Sequence, residues 1–188
     1  MTVFFGRNFK TIIREEKIPS LPKTKELIRW CVILNNMTLL HGTMGEISFR
    51  TPQNFAITGN EARLNRLNPG DIVEVLEYNQ PENALYVRGR KEPSQESLLH
   101  HVIYRKRPDV NAIFHIFDST MLNAHSELGI ELISQYNPDG ILKTLGKEDA
   151  IAIKNNGLLF LGASLKDAGN LIVQKHTEEF RMRLGRTF

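Results

Sequence analysis

Apolar positions recur along this chain at two spacings, and each spacing predicts one type of secondary structure. Between residues 23 and 36 they return every three or four positions, which places them on one face of a helix. A second helix is predicted to open at Glu96, and Pro108 stops it. A third is predicted from Ser164 to Arg183. Each of these helices therefore has an apolar side with which to cover a sheet.

Strand patterns lie between the predicted helices. Strands from Ile72 to Tyr78 and over the segment ALYVRGR flank the loop NQPEN, which predicts a hairpin. The segment NAIFHIF is almost wholly apolar and predicts a strand that is buried on both faces. A further hairpin is predicted at Asn156-Gly157, because this dipeptide favours a tight turn. The pattern predicts a mixed, largely antiparallel sheet with helices on its faces.

The chain is predicted to consist of an N-terminal arm, residues 1–21, and one domain, residues 22–188. The proline-containing segment IPSLPK separates the two parts. The arm is too apolar to remain free in water, so we expect it to pack on the domain or on a neighbouring subunit through Phe4, Phe5 and Phe9.

Composition excludes several classes of protein. The net charge is only +3, from 24 basic and 21 acidic residues that are mixed along the chain, so no nucleic-acid partner is predicted. No apolar segment is long enough to span a membrane, and the N-terminus lacks the pattern of a signal peptide. The single Cys31 cannot form an internal disulfide. We therefore expect a cytoplasmic protein.

Two residues are candidates for chemistry, and each has a structural alternative. His115 lies in the buried strand NAIFHIF, with Phe117 at the next position on the same face. It is either a metal ligand or catalytic group, or a hydrogen-bonded histidine of the core. Glu96 falls in the first turn of a helix, where free N–H groups stabilise a carboxylate that has no catalytic role. The residues alone leave both alternatives open.

Several motifs, in their order along the chain, resemble the class II aldolase/adducin family. They are GTMGEISFR, ITGN, LNPGDIVEV, the block from Glu92 to His115, and DAIAIKNNGLLFLGASLKDA. The resemblance covers roughly residues 23–183. It implies an α/β fold, a three-layer α/β/α domain with a central mixed, largely antiparallel sheet. It also implies a homo-oligomer, a tetramer in that family.

The resemblance assigns roles to the candidate residues. The family enzymes bind zinc through a His-x-His strand motif and an Asn-His-Gly turn, and a glutamate acts as acid/base. Glu96 matches that glutamate and His115 matches the first zinc histidine, whereas Phe117 and Asn156 occupy the other two ligand positions. Because a catalytic zinc needs about three side-chain ligands, no cofactor is expected. Zinc or another divalent metal would require unrecognised ligands to join His115.

The resemblance also implies a substrate-binding region. Thr58, Gly59 and Ser94 match family positions that bind a phosphate group, and Gln95 replaces a second serine. Glu46 stands where the family has an asparagine. A carboxylate beside a phosphate is repulsive, so this region favours a small polar or sugar-like ligand over a sugar phosphate.

Three functional interpretations remain. The first is a class II aldolase/adducin-like protein with a degraded zinc site, which binds a small polar ligand or serves as an assembly module. The alternative is a carbon–carbon lyase or an isomerase that acts on a small sugar or sugar-phosphate-like substrate through an enediolate. In the alternative, Glu96 is the acid/base. The third is a metal-free acid/base enzyme that uses the catalytic residues Glu96 and His115 on a substrate with an acidic C–H. Whether the protein is an enzyme stays open at this point.

Overall fold

The computed structural model describes residues 9–134, 138–146 and 148–185 of the chain. Its strands are β1 (Lys10–Glu15), β2 (Glu46–Arg50), β3 (Phe55–Thr58), β4 (Ile72–Asn79), β5 (Ala84–Arg88), β6 (Ala112–Ile116), β7 (Glu131–Ile133), β8 (Ala150–Ile153) and β9 (Gly157–Gly162). Its α-helices are α1 (Thr24–Asn36), α2 (Ser97–Lys106), α3 (Ser119–Asn123), α4 (Pro138–Thr144) and α5 (Leu165–Gly185).

The strands of the described residues form one sheet in the order β1-β5-β4-β3-β2-β6-β9-β8-β7. The pairs β1–β5 and β7–β8 at the two edges are parallel, and all the pairs between them are antiparallel. The prediction of a mixed, largely antiparallel sheet is therefore confirmed.

Apolar side chains are buried on both faces of the sheet, which makes three layers. On one face, β6 directs Phe114 towards helices α1 and α5, where it contacts Trp30 edge to face. On the other face, Ile113 belongs to a second cluster with Leu99 and Ile103 of α2. This alternation along a strand that is buried throughout confirms the α/β/α arrangement.

Two glycines allow the backbone to approach the end of β6 closely. Gly45 and Gly157 both have positive φ angles, of 91° and 80°. A Cβ atom at Gly45 would collide with the backbone carbonyl of His115, and one at Gly157 would collide with that of Ile116. Glycine is the residue that tolerates both constraints. The start of β2 and the β8–β9 turn are thereby brought against the same strand end.

The N-terminal segment and the last third of the chain hold features that the sequence did not predict. Residues 10–15 of the predicted arm form the edge strand β1, and Phe9 packs on the core cluster of α2. Phe4 and Phe5 lie outside the described residues. The division into an arm and a domain stays a prediction. Strand β7 and helix α4 were not predicted.

Among the described residues, no helix combines the length and the apolar character that crossing a bilayer requires.

Candidate active site

The centre of the site is a buried pair formed by Glu46 and His115. Antiparallel pairing of β2 with β6 places these residues opposite each other. The Glu46 Oε1 atom lies 2.6 Å from His115 Nδ1, and His115 Nε2 lies 2.5 Å from the carbonyl oxygen of Asn156. A carbonyl oxygen only accepts, so Nε2 donates to it. Both ring nitrogens of His115 are therefore engaged within the protein.

The two partners shift each other's pKa in opposite directions. Burial raises the pKa of the Glu46 carboxyl, but His115 and His100 together outweigh burial and hold that pKa well below its ordinary value of 4.5. Burial lowers the pKa of His115, whereas Glu46 and the Asn156 carbonyl raise it more, so that it lies above its ordinary value of 6.5. The pair is best described as a carboxylate and an imidazolium.

Further polar side chains surround Glu46. Ser94 Oγ donates to Glu46 Oε2 over 3.1 Å. His100 is wholly buried in α2, and its Nε2 atom lies 3.8 Å from Glu46 Oε1, too far for a hydrogen bond. On its other side, His100 Nδ1 lies 2.7 Å from Ser48 Oγ, which in turn lies 2.8 Å from the Tyr104 hydroxyl. This polar chain links the site to the layer beneath it.

The segment that carries Ser94 and Glu96 is held by backbone bonds to the end of β3. Ser94 N donates to Thr58 O over 3.2 Å, and Asn60 N donates to Glu92 O over 2.8 Å. Ser94 Oγ then accepts from Glu96 N over 3.2 Å, which closes a turn at the start of α2. Glu96 is thus placed half-buried at the beginning of the helix.

A cavity of about 350 Å³ opens above the pair, and five separate parts of the chain line it. The lining comprises residues 43–46, 59–61, 94–96, 117 and 156. Such a cavity is large enough for a small sugar-sized ligand. Convergence of distant loops at one end of a sheet is how binding sites are commonly built on a rigid scaffold.

The structure brings most of the predicted site residues to this cavity. Gly59, Ser94, Gln95 and Glu96 line it. His115 lies behind Phe117, with the two rings stacked at a centroid distance of 4.9 Å, and is itself fully buried. Their catalytic and binding roles stay predictions.

Thr58 is the predicted residue that does not reach the cavity. Its side chain is buried between β2 and β3, where Oγ1 accepts from Ile47 N over 3.3 Å. The partnership of Glu46 with His115 was not predicted from the sequence. The signal that could have revealed it is the strand register, which the sequence did not give.

The three-imidazole zinc site implied by the resemblance does not fit these residues. Phe117 offers no ligand atom, and both nitrogens of His115 are already bonded. Among the residues that the structure describes, no three His, Cys, Asp or Glu side chains are clustered to hold a metal ion. The residues present therefore do not supply the ligand set of a three-imidazole zinc site.

Comparison with known proteins identifies the family. Residues 25–141 match the model of the class II aldolase and adducin N-terminal domain. The L-fuculose phosphate aldolase of Methanocaldococcus jannaschii is 31% identical over 168 residues, covering 77% of this chain and 86% of that protein. A 5-methylthioribulose-1-phosphate/5-deoxyribulose-1-phosphate aldolase of Escherichia coli is 25% identical over 164 residues, covering 76% and 74%. The chain belongs to the class II aldolase/adducin family.

A solved structure supports the same fold. The l-fuculose-1-phosphate aldolase from Thermus thermophilus superposes with a TM-score of 0.70, over 87% of this chain and 94% of that one, at 18% identity. At this identity the likeness concerns the fold alone, and it agrees with the three layers described above.

Family membership corrects one prediction. The expectation that no cofactor is needed is wrong, because the relatives are class II aldolases, which depend on a divalent metal. Membership thus points to a divalent metal cofactor. The prediction failed because it was based only on positions 117 and 156, where this chain has no histidine.

Proposed function

We propose that the protein is a carbon–carbon lyase that cleaves a small polyhydroxylated carbonyl compound through an enediolate. The observation that carries this proposal is the cavity itself, where Glu96, Asn156 and the Glu46–His115 pair meet at one end of the sheet. The relatives are aldolases by name, which supports the lyase interpretation. They give no support to the interpretation as a ligand-binding or assembly module.

The reaction balances without an oxidant or reductant. The hydroxyl group beta to the substrate carbonyl gives its proton to the Glu96 carboxylate and becomes an aldehyde, while the adjacent carbon–carbon bond breaks. The electron pair of that bond moves into the carbonyl group and gives an enediolate. Glu96 then returns that proton to the enediolate carbon, which yields a ketone and restores the carboxylate. Protonation at the other carbon would make the same intermediate serve an isomerase.

The side chain of Asn156 is suited to stabilise charge on the enediolate oxygen. It lines the cavity, and its Nδ2 atom is buried without a hydrogen-bond partner among the described residues. A buried donor without a partner is costly in a folded protein, which suggests that a ligand oxygen completes it. A donor that is already in place stabilises developing negative charge without reorganisation.

The Glu46–His115 pair acts on this site from behind. His115 is fully buried, and its Nε2 hydrogen bond to the Asn156 carbonyl holds the β8–β9 turn at the cavity wall. Glu46 fixes the orientation of the imidazole through Nδ1. The pair thereby positions Asn156, and His115 acts as a positioning residue rather than by contact with the substrate.

The experiment is a cleavage assay on ketoses and ketose 1-phosphates. Purified protein is tested with and without added Zn²⁺, Mn²⁺ or Mg²⁺, because the family points to a divalent metal. We expect release of an aldehyde from at least one substrate, and loss of that activity in Glu96→Gln. If no compound is cleaved under any metal condition, the proposal fails. A cytoplasmic location and a homo-oligomer, a tetramer by resemblance, stay predictions.

A further inference from the structure

We propose that the cavity selects substrates without phosphate or carboxylate groups, that is, uncharged or amine-bearing polyhydroxylated carbonyl compounds. This inference rests on the proposed function and names its substrate class. It departs from the relatives, whose names specify phosphorylated sugars. Three observations on this chain carry it.

The first observation is the charge of the cavity wall. Three acidic side chains line the cavity, Glu46, Glu61 and Glu96. None of the described residues that line it is lysine, arginine or histidine. The nearby Lys91 forms an ion pair with Asp71, with Nζ 2.6 Å from Oδ1. A dianionic group entering this cavity would meet negative charge and no lining cation to balance it.

The second observation concerns the hydroxyl groups that the resemblance assigns to anion binding. Ser94 has a single hydroxyl hydrogen, which it donates to Glu46 Oε2. The Thr58 hydroxyl is buried between two strands and does not line the cavity. Neither group is therefore available to donate to a phosphate oxygen.

The third observation is the orientation of the buried pair. Glu46 lines the cavity, whereas His115 is fully buried behind it. Although the carboxylate and the imidazolium neutralise each other overall, the cavity faces the negative end of the pair. An anion at this wall is repelled by the nearer charge, and an ammonium or hydroxyl group of a ligand finds an acceptor there.

The test compares matched compounds on the full chain. L-Fuculose and L-fuculose 1-phosphate are assayed side by side for aldehyde release, and each is titrated by calorimetry. We expect at least about a tenfold higher kcat/KM, and tighter binding, for the compound without phosphate. Inorganic phosphate alone should not bind at millimolar concentration. Preference for the phosphorylated compound, or phosphate binding below millimolar concentration, would overturn the inference.

A pair of variants tests whether charge is the cause. Glu61 is exposed at the cavity rim, so Glu61→Gln should fold normally and reduce the discrimination against the phosphorylated compound by about two- to fivefold. Glu77→Gln, on the exposed face of β4 and away from the cavity, should leave it unchanged. Equal discrimination in wild type and Glu61→Gln would contradict an origin in charge.

The assay separates this inference from the proposed function. If neither compound is cleaved, the proposed lyase activity fails, but the binding titrations still decide the question of charge selection. Cleavage of the phosphorylated compound alone would support the lyase activity and reject the selection proposed here.

Discussion

Among the ion pairs of the described residues, a network at the surface and one in the site both join distant parts of the chain, and they differ mainly in burial. At the surface, Arg107 binds Asp109 and Asp149, each over 2.7 Å, and donates to two backbone carbonyls beyond α4. The two carboxylates are 60% and 56% exposed. In the site, the Glu46 carboxylate is 9% exposed and its partner His115 is not exposed at all.

The comparison shows that similar distances have different consequences. Water and salt screen the surface network, so each of its pairs contributes little. The buried pair has lost its hydration, and either partner left alone would be an uncompensated charge in the core. The surface network connects the end of α2 to the segment that follows α4, whereas the buried pair fixes the geometry of the cavity wall.

The largest expected effect is on the buried pair. Glu46→Gln keeps the shape of the side chain but removes the charge that His115 faces. We expect a loss of about 3–5 kcal/mol in the free energy of unfolding, measured by urea denaturation. A loss below about 1 kcal/mol would mean that the pair behaves like a surface pair and that the comparison is wrong.

A second variant tests whether positions 117 and 156 still have the geometry of a metal site. Phe117→His combined with Asn156→His adds two imidazoles to a cavity wall that already carries Glu46 and Glu96, and zinc should then bind more tightly than to the wild type. Zinc at a hundred times its Kd should stabilise the variant by about 2.7 kcal/mol, seen as a raised Tm. The single variant Phe117→His is the control. No difference from wild type would show that these positions do not converge.

The pH dependence sharpens the account of the buried pair. Glu46 has a lowered pKa, so its contribution is present above pH 4.5, its ordinary value, and is lost as pH falls through the folded pKa. His115 has a raised pKa, so its contribution is present below pH 6.5 and is lost as pH rises through the folded pKa. The pair should therefore stabilise most between pH 4.5 and 6.5.

Outside this window, the stability difference between wild type and Glu46→Gln should fall by up to about 1.4 kcal/mol per pH unit. The difference between the two proteins is measured because His101 also titrates. Burial lowers the pKa of His101 from 6.5 to about 4, so both proteins lose stability as the pH falls from 6.5 to about 4. A difference that does not change with pH would contradict the assignment of charges.

The smallest effect is expected at the surface. Asp149→Asn removes one of the two carboxylates that bind Arg107. Arg107 retains its ion pair with Asp109 and its hydrogen bonds to the backbone carbonyls. The free energy of unfolding should fall by less than about 1 kcal/mol, and the fall should shrink in high salt. Urea denaturation at low and high salt gives both values. A loss as large as that in Glu46→Gln would remove the distinction between the networks.

The sequence predicted the parts of the fold that repeat a local pattern. The hairpin of β4 and β5, the buried strand β6 and helix α5 were confirmed, because alternation, turn residues and helical spacing are local. Strand β7 was not predicted because it has only three residues, too few to establish a period. Its parallel pairing with β8 depends on tertiary contacts, which a local pattern does not reveal.

The site was predictable only where a motif named it. Motif order located Glu96, Ser94 and His115, and the structure brings them to one cavity or its wall. The Glu46–His115 pair was not predictable, because it depends on which residues of β2 and β6 face each other, a register set by the whole sheet. The direction of the Thr58 side chain was not predictable for the same reason, since it follows from pairing with β2.

The most direct test of the central claim is proton exchange at the carbon that Glu96 is proposed to protonate. The ketone product is incubated with protein in D₂O, and deuterium in its C–H position next to the carbonyl is followed by NMR. The account predicts exchange catalysed by the wild type and by Glu77→Gln, and a rate reduced about 10²-fold or more in Glu96→Gln. Equal exchange rates in Glu96→Gln and the wild type would contradict it.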